Sequence, residues 1–136
     1  MDIRMIYAHD VEAAYPVVAE LRPHIDLEEF LYRFQQQSDA GYELWGAYED
    51  RDLVGAIGIR PMMSLAWGPY LHVDDLVVTE KRRTSGVGRA LLEHAEALAK
   101  KRGLPAVYLE SRSTALGFYT RLGYAEHPSP IVVKKF

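Results

Sequence analysis

The sequence predicts a mixed α/β fold, a central and mostly antiparallel sheet with helices on its faces. Between residues 42 and 78, runs rich in β-branched, aromatic and aliphatic side chains alternate with short turns. Residues 85–102 then switch to a strong helical period. A short apolar run follows that helix, and a strand, a long helix and a strand in succession imply a right-handed parallel crossover. A chain of 136 residues can bury one core, so a single domain spanning 1–136 is expected.

The elements follow in order. Residues 3–7 read as a first strand. Asp10 has the character of an N-cap, but Pro16 interrupts the pattern after it, and proline suits a first helical turn, so the helix begins nearer Pro16. Arg22 and Pro23 end it. Asp26-x-x-Glu29 resembles a capping box, with Leu27, Phe30, Leu31 and Phe34 at helical spacing and Gly41 beyond the end. Residues 42–48, 53–59 and 71–78 form an antiparallel meander. Its turns are Glu49, Asp50, Arg51 and Asp52, then Trp67, Gly68 and Pro69. In the long helix, Val87, Leu91, His94, Ala95 and Leu98 share one face, while Arg89/Glu93 and Glu96/Lys100 pair on the other. Gly103 and Pro105 end it. A strand over 106–109, a helix over 113–122 stopped by Gly123, and a last strand over 131–136 complete the order β-α-α-β-β-β-α-β-α-β.

Composition narrows the function. Apolar residues make up 49% and charged residues 26%, an ordinary globular balance. A net charge of −3 disfavours nucleic acid as a partner. The chain has no cysteine, which excludes disulfides, thiolate metal sites and a cysteine nucleophile, and fits a reducing cytoplasm. No signal-peptide layout and no membrane-spanning apolar run is present, so a soluble cytoplasmic protein without a membrane partner is expected. The histidines show no ligand spacing, and no metal site is expected.

"EKRRTSGVGRALL", residues 80–92, carries the main functional signal. Two arginines run into a glycine turn where the third meander strand hands over to the long helix. Helix N-termini expose unpaired N–H groups and a partial positive charge, and glycines let an anion approach them. The stretch reads as a phosphate cradle, with Arg83, Arg82 or Arg89 supplying charge and Thr84 and Ser85 supplying hydroxyls. Equally, Gly86 and Gly88 could serve only close helix–sheet packing. No Lys-Ser/Thr follows the glycines, so this is not a Walker A loop. Leu91 stands where G-x-G-x-x-G needs its last glycine. Both features count against an ATP- or GTP-binding protein.

Arg83-x-x-Gly86-x-Gly88 resembles the Q/R-x-x-G-x-G/A signature of the GNAT superfamily of acyl-CoA N-acyltransferases. Downstream, "ALGFYTRLGY", residues 115–124, is similar to that family's A-x-x-F-Y-x-x-x-G-F/Y segment. The resemblance covers essentially the whole chain and points to a small bacterial branch. It implies a sheet of about six to seven strands flanked by about four helices. It also implies acetyl-CoA as cosubstrate, its pyrophosphate on Arg83, Thr84, Ser85, Gly86, Val87, Gly88 and Arg89. The pantetheine arm would run along Leu76, Val77 and Val78, with Ser111, Ala115, Phe118 and Tyr119 lining the remainder. The chain departs from the branch after Leu109, Glu110 and Ser111: only Arg112, Ser113 and Thr114 precede Ala115, Leu116 replaces a histidine, and Arg112 stands where many members have asparagine. This implies a differently shaped acceptor or coenzyme site.

Acyl transfer to an amine needs a deprotonated nitrogen, a donor for the oxyanion and a proton for the leaving thiolate. By the resemblance, Tyr119 is the general acid; read alone it is a core aromatic beside Phe118. Asp74 and Asp75 are the first candidates for the base. Adjacent strand residues point to opposite faces, so at most one is expected to face a given side of a cleft. Burial among Leu71, Val73, Leu76 and Val77 would raise such a carboxylate's pKa. The pair also resembles the Glu-Asp of glucosamine-phosphate acetyltransferases. Glu110 and then His72 follow as candidates, and water serves in some family members. The backbone N–H of Val77 or Val78 is the expected oxyanion donor. Phe30, Tyr32, Phe34, Trp45, Met62, Met63 and Trp67 could line a pocket for a small-molecule or peptide amine, though such residues are more often core. A non-catalytic acyl-CoA-binding regulatory module on the same fold is the alternative. An edge strand and an exposed apolar face could support a homodimer.

Overall fold

Pro16 and Asp26 set the helical starts of the N-terminal half. In the computed structural model, which describes residues 1–136, helix α1 (Tyr15–Leu21) carries Pro16 in its first turn, where a missing N–H costs nothing. Asp10 does not act as a side-chain cap; it precedes a 3₁₀ turn over Val11–Ala14 and bonds to it only through its backbone carbonyl, which accepts from the Ala13 N–H at 3.2 Å. Helix α2 (Leu27–Asp39) is capped as expected, the Asp26 carboxylate accepting from the Glu29 N–H at 2.8 Å.

Strands β1 (Asp2–Ile6), β2 (Glu43–Glu49), β3 (Asp52–Ser64) and β4 (Gly68–Val78) pair antiparallel in chain order. Helix α3 (Val87–Lys101) crosses over to β5 (Val107–Leu109), which pairs parallel to β4, and α4 (Leu116–Arg121) follows. The sheet order is β1-β2-β3-β4-β5. Strand β3 runs beyond its expected end, through Pro61. Pairing with β2 stops at Ile59, so Pro61 has a strand neighbour on one side only, where proline is tolerated.

Both faces of the sheet are covered. Leu91, Leu92, Ala95 and Ala99 of α3 pack on Ile57, Ile59, Leu71 and Val73. On the other face Val17 of α1 and Phe30 and Phe34 of α2 pack on Ile6, Leu44, Ala56 and Val77. The central strand β3 is accordingly buried from Val54 to Ile59.

The sheet has five strands rather than six to seven. Residues 131–136 form no strand, and Ile131, Val132, Val133 and Phe136 are exposed. Strand propensity needs a partner edge and a face to bury against. Pro128 and Pro130 lead into the segment without donors of their own, and the neighbouring β5 offers only three residues.

Candidate active site

The register of β4 changes at Asp74. Gly58 pairs with Asp75 and Ile59 with Val73, leaving Asp74 as the extra residue of a β-bulge. Before the bulge Leu71 and Val73 pack on the α3 side; after it Leu76 packs on that side and Val77 on the other. The alternation slips by one residue. Asp74 and Asp75 therefore both face the α1–α2 side and line the same cavity of about 510 Å³. This corrects the expectation of opposite faces, which assumed an unbroken pleat.

Each carboxylate is held by an arginine. Arg60 of β3 grips Asp74 through Nε at 2.5 Å and Nη2 at 2.9 Å, and His72 Nδ1 lies 2.5 Å from Asp74 Oδ1. Burial pushes the Asp74 carboxyl up, but the hydrogen bonds from His72 and Arg60 outweigh it, and Asp74 sits below the ordinary carboxylate value. The expected rise is thus reversed, because the site supplies donors as well as burial. Arg22, at the end of α1, donates to Asp75 Oδ1 through Nε at 3.2 Å and Nη2 at 3.0 Å, and to the Asp74 carbonyl at 3.0 Å. The Tyr42 hydroxyl donates to Asp75 Oδ2 at 2.8 Å. Burial, then the Asp75 charge, pushes the Tyr42 phenol well up, so it stays a donor.

At the far end of β4 the glycine turn opens α3. Gly86 caps the helix at φ +91°, in the left-handed region, and a Cβ there would meet nothing within 4 Å. No side chain caps the helix N-terminus. Thr84 also has positive φ, 67°, a strained conformation for a β-branched residue. The hydroxyls of Thr84 and Ser85 turn back to the carbonyls of Arg83 and Arg82. Arg83 donates to the Val78 carbonyl at 3.2 Å and pairs with Glu20 at 3.6 Å. Arg82 pairs with Glu49, and Arg89 with Glu93 along the exposed side of α3. Arg83 is the arginine that stays against the end of β4.

Between these two regions the strands part. Pairing of β4 with β5 ends at Val73 and Leu109, while β4 runs on to Val78. Tyr119 of α4 packs beside Phe118 and Tyr124, and lines a cavity of about 710 Å³ with Leu109, Glu110, Ser111 and Leu116. Burial alone raises the Tyr119 phenol, so it keeps its proton at neutral pH. Ser111 donates to the Arg112 carbonyl, and Arg112 reaches the Leu21 carbonyl at 3.1 Å, tying the short segment after β5 to the end of α1. Ala115 ends a 3₁₀ turn (Ser113–Ala115) that leads into α4.

Residues 5–124 match the Acetyltransferase (GNAT) family. The chain belongs to the GNAT acetyltransferase family. An uncharacterized N-acetyltransferase of Bacillus subtilis, YhdJ, is 35% identical over 116 residues, covering 82% of each chain. In fold, the chain is similar to a ribosomal-protein-alanine N-acetyltransferase of Brucella melitensis biovar Abortus 2308. That match has a TM-score of 0.85 at 21% identity, over 99% of this chain and 100% of that one. A predicted acetyltransferase with acetyl-CoA from Clostridium acetobutylicum matches at TM-score 0.81 and 14% identity, over 98% and 95%.

In this GNAT chain the aromatic candidates divide. Phe30, Tyr32 and Phe34 line the cavity that holds Asp74 and Asp75. Trp45 instead packs against His94 at 4.5 Å, Met63 is exposed on the β3–β4 hairpin, and Trp67 stacks on Tyr108 at 4.2 Å. Glu110 lies at the end of β5, with Oε1 3.8 Å from His72 Nε2. No group of His, Asp and Glu side chains is arranged to hold a metal ion, and no helix is long and apolar enough to cross a membrane. Arg22, Tyr42 and Arg60 join the site without being among the candidates the sequence offers. Arg60 left one signal, a charge inside the apolar run of β3. Gly58 left another: a Cβ there would lie 1.9 Å from the Tyr42 oxygen, so the glycine admits that hydroxyl to Asp75.

Proposed function

We propose that the chain transfers an acetyl group from acetyl-CoA to a primary amine, by direct attack within a ternary complex. The observation that carries this reading is the gap past Val73 and Leu109, whose two faces have different chemistry. On the α4 face lies a protonated phenol, Tyr119; on the α1–α2 face lie Asp74 and Asp75 above an apolar cavity. A thioester in the gap would have an acid on one side and an amine site on the other.

The residues present fit acetyl-CoA. The uncapped N-terminus of α3 and the side-chain-free surface at Gly86 suit a pyrophosphate, with Arg83 beside them. The open edge of β4 at Leu76, Val77 and Val78 suits an amide-bearing arm, and the Val77 or Val78 N–H suits the oxyanion. The thioester supplies the activated acetyl group. Tyr119 gives a proton to the departing thiolate, which raises the rate by avoiding a charged leaving group. The acceptor is a small-molecule or peptide amine in the cytoplasm.

A specific feature favours the alternative, a non-catalytic acyl-CoA-binding module. Both cavity carboxylates are already neutralised by arginines, so neither is a free base. Calorimetric titration with acetyl-CoA, followed by a free-thiol assay over an amine panel, separates the two. Binding with amine-dependent thiol release is the expected result. Binding without release from any amine would favour the module, and no binding would remove both readings.

A further inference from the structure

We propose that His72 is the base that takes the first proton from the acceptor ammonium, with Asp74 holding its tautomer and Glu110 passing the proton to solvent. This rests on the acetyltransferase reading above. His72 lies on β4 between Arg60 of β3 and Tyr108 of β5, next to Val73, where the β4–β5 pairing ends. The pleat before the bulge places it on the Asp74 side of the sheet, beside the cavity that Asp74 and Arg60 line.

Its two ring nitrogens are in different situations. Nδ1 lies 2.5 Å from Asp74 Oδ1. Arg60 also grips both oxygens of that carboxylate, which favours the ionised form. An ionised carboxylate only accepts, so Nδ1 carries the hydrogen and Nε2 carries the lone pair. Nε2 has no hydrogen-bond partner in the fold; its nearest acidic group, Glu110, is 3.8 Å away, too far to bond directly. The side chains of Asp74 and His72 are 13% and 17% exposed, whereas Glu110 is 66% exposed. The three form a line from the interior to solvent. Neither aspartate can replace His72: Asp74 is held by Arg60 and His72, and Asp75 by Arg22 and Tyr42, whereas imidazole is the side chain suited to exchanging protons near neutral pH.

The protons balance. The ammonium gives one proton to His72 Nε2 and becomes a free amine. The amine nitrogen forms the C–N bond at the thioester carbonyl, and the C–S bond breaks. The sulfur takes a proton from Tyr119, and the nitrogen loses its second proton, which restores Tyr119. The proton on His72 leaves through Glu110. One ammonium and one thioester yield one amide, one free thiol and one proton in solution.

The groups facing His72 are Asp74, Asp75 and Tyr70 on β4, Arg60 on β3, Tyr108 on β5, Glu110 just after β5, and Arg22 through the Asp74 carbonyl. The test compares wild type and His72→Gln, each as the full chain, with acetyl-CoA and the amine that gives thiol release. His72→Gln is expected to lower kcat by about 10²-fold, to lose the rise of kcat with pH that a single base imposes, and to bind acetyl-CoA as wild type does. A variant that keeps both kcat and that rise would overturn the proposal and leave the acetyltransferase reading standing. If wild type binds acetyl-CoA but no amine releases thiol, that reading fails and takes this one with it. Nitrogen-15 NMR of wild type needs no variant. It is expected to show His72 with its hydrogen on Nδ1 near pH 7, and a hydrogen on Nε2 in the neutral ring would overturn the assignment.

Discussion

Gly88, at the start of α3, faces Phe118 of α4: a Cβ on Gly88 would lie 3.4 Å from Phe118 Cζ and 3.5 Å from Val78 Cγ2. The glycine signature and the aromatic segment, far apart in the chain, therefore meet beside the end of β4.

That spacing separates the two roles open to the glycine. Gly88→Ala meets only ordinary van der Waals contact and gains helix propensity, so its stability should hold or rise by up to about 1 kcal/mol. Gly88→Val overfills the space and should cost about 1–3 kcal/mol. If the backbone of α3 holds a pyrophosphate, Gly88→Ala should still bind acetyl-CoA more weakly. Urea unfolding with calorimetry reads both, and an alanine variant that binds normally would leave packing as the glycine's only role.

Tyr119 has a phenol raised by burial alone, with no charged or hydrogen-bonding neighbour contributing. Tyr119→Phe removes the proton and little else. It should lower kcat by about 10²-fold while leaving acetyl-CoA affinity nearly unchanged. Equal losses in binding and turnover would instead make Tyr119 a packing residue.

Gly58 gives the Tyr42 hydroxyl its path to Asp75. Gly58→Ala puts a methyl where that oxygen lies, 1.9 Å from the new Cβ. Tyr42 must move, and Asp75 loses a donor in a half-buried site. The expected cost is about 2 kcal/mol or more in urea unfolding, and an unchanged midpoint would mean that the hydroxyl has an alternative position.

Asp74 links stability to pH. Its folded value is lowered from the ordinary 3.8, so it stabilises the fold fully above that value and loses the contribution as pH falls through the lowered folded value. Wild type should lose stability between about pH 5 and pH 2 more steeply than Asp74→Asn. Unfolding midpoints across that range check the sign. Parallel slopes would assign the acid sensitivity to other carboxylates.

Much of the architecture could be read locally. The α2 cap rests on Asp26 and Glu29, and the α3 face on the spacing of Val87, Leu91 and Ala95. Both are periodicities within one turn or one helix. The glycine turn and the Phe118–Tyr119 segment were legible as residue types at fixed offsets. The strand expected over 131–136 was not realised, because a strand exists only where another edge receives it.

The sequence by itself determined which segments are helix and meander, that α3 opens on glycines, and that Tyr119 follows Phe118, since each depends on residues a few positions apart. Only the tertiary structure decided that Asp74 and Asp75 share one face, that Arg60 and Arg22 neutralise them, and that His72 stands between Asp74 and Glu110. Those relations depend on the register of β4 against β3 and β5. One extra residue at Asp74 shifts every side chain after it to the other face, and that shift is set by pairing across strands rather than along the chain.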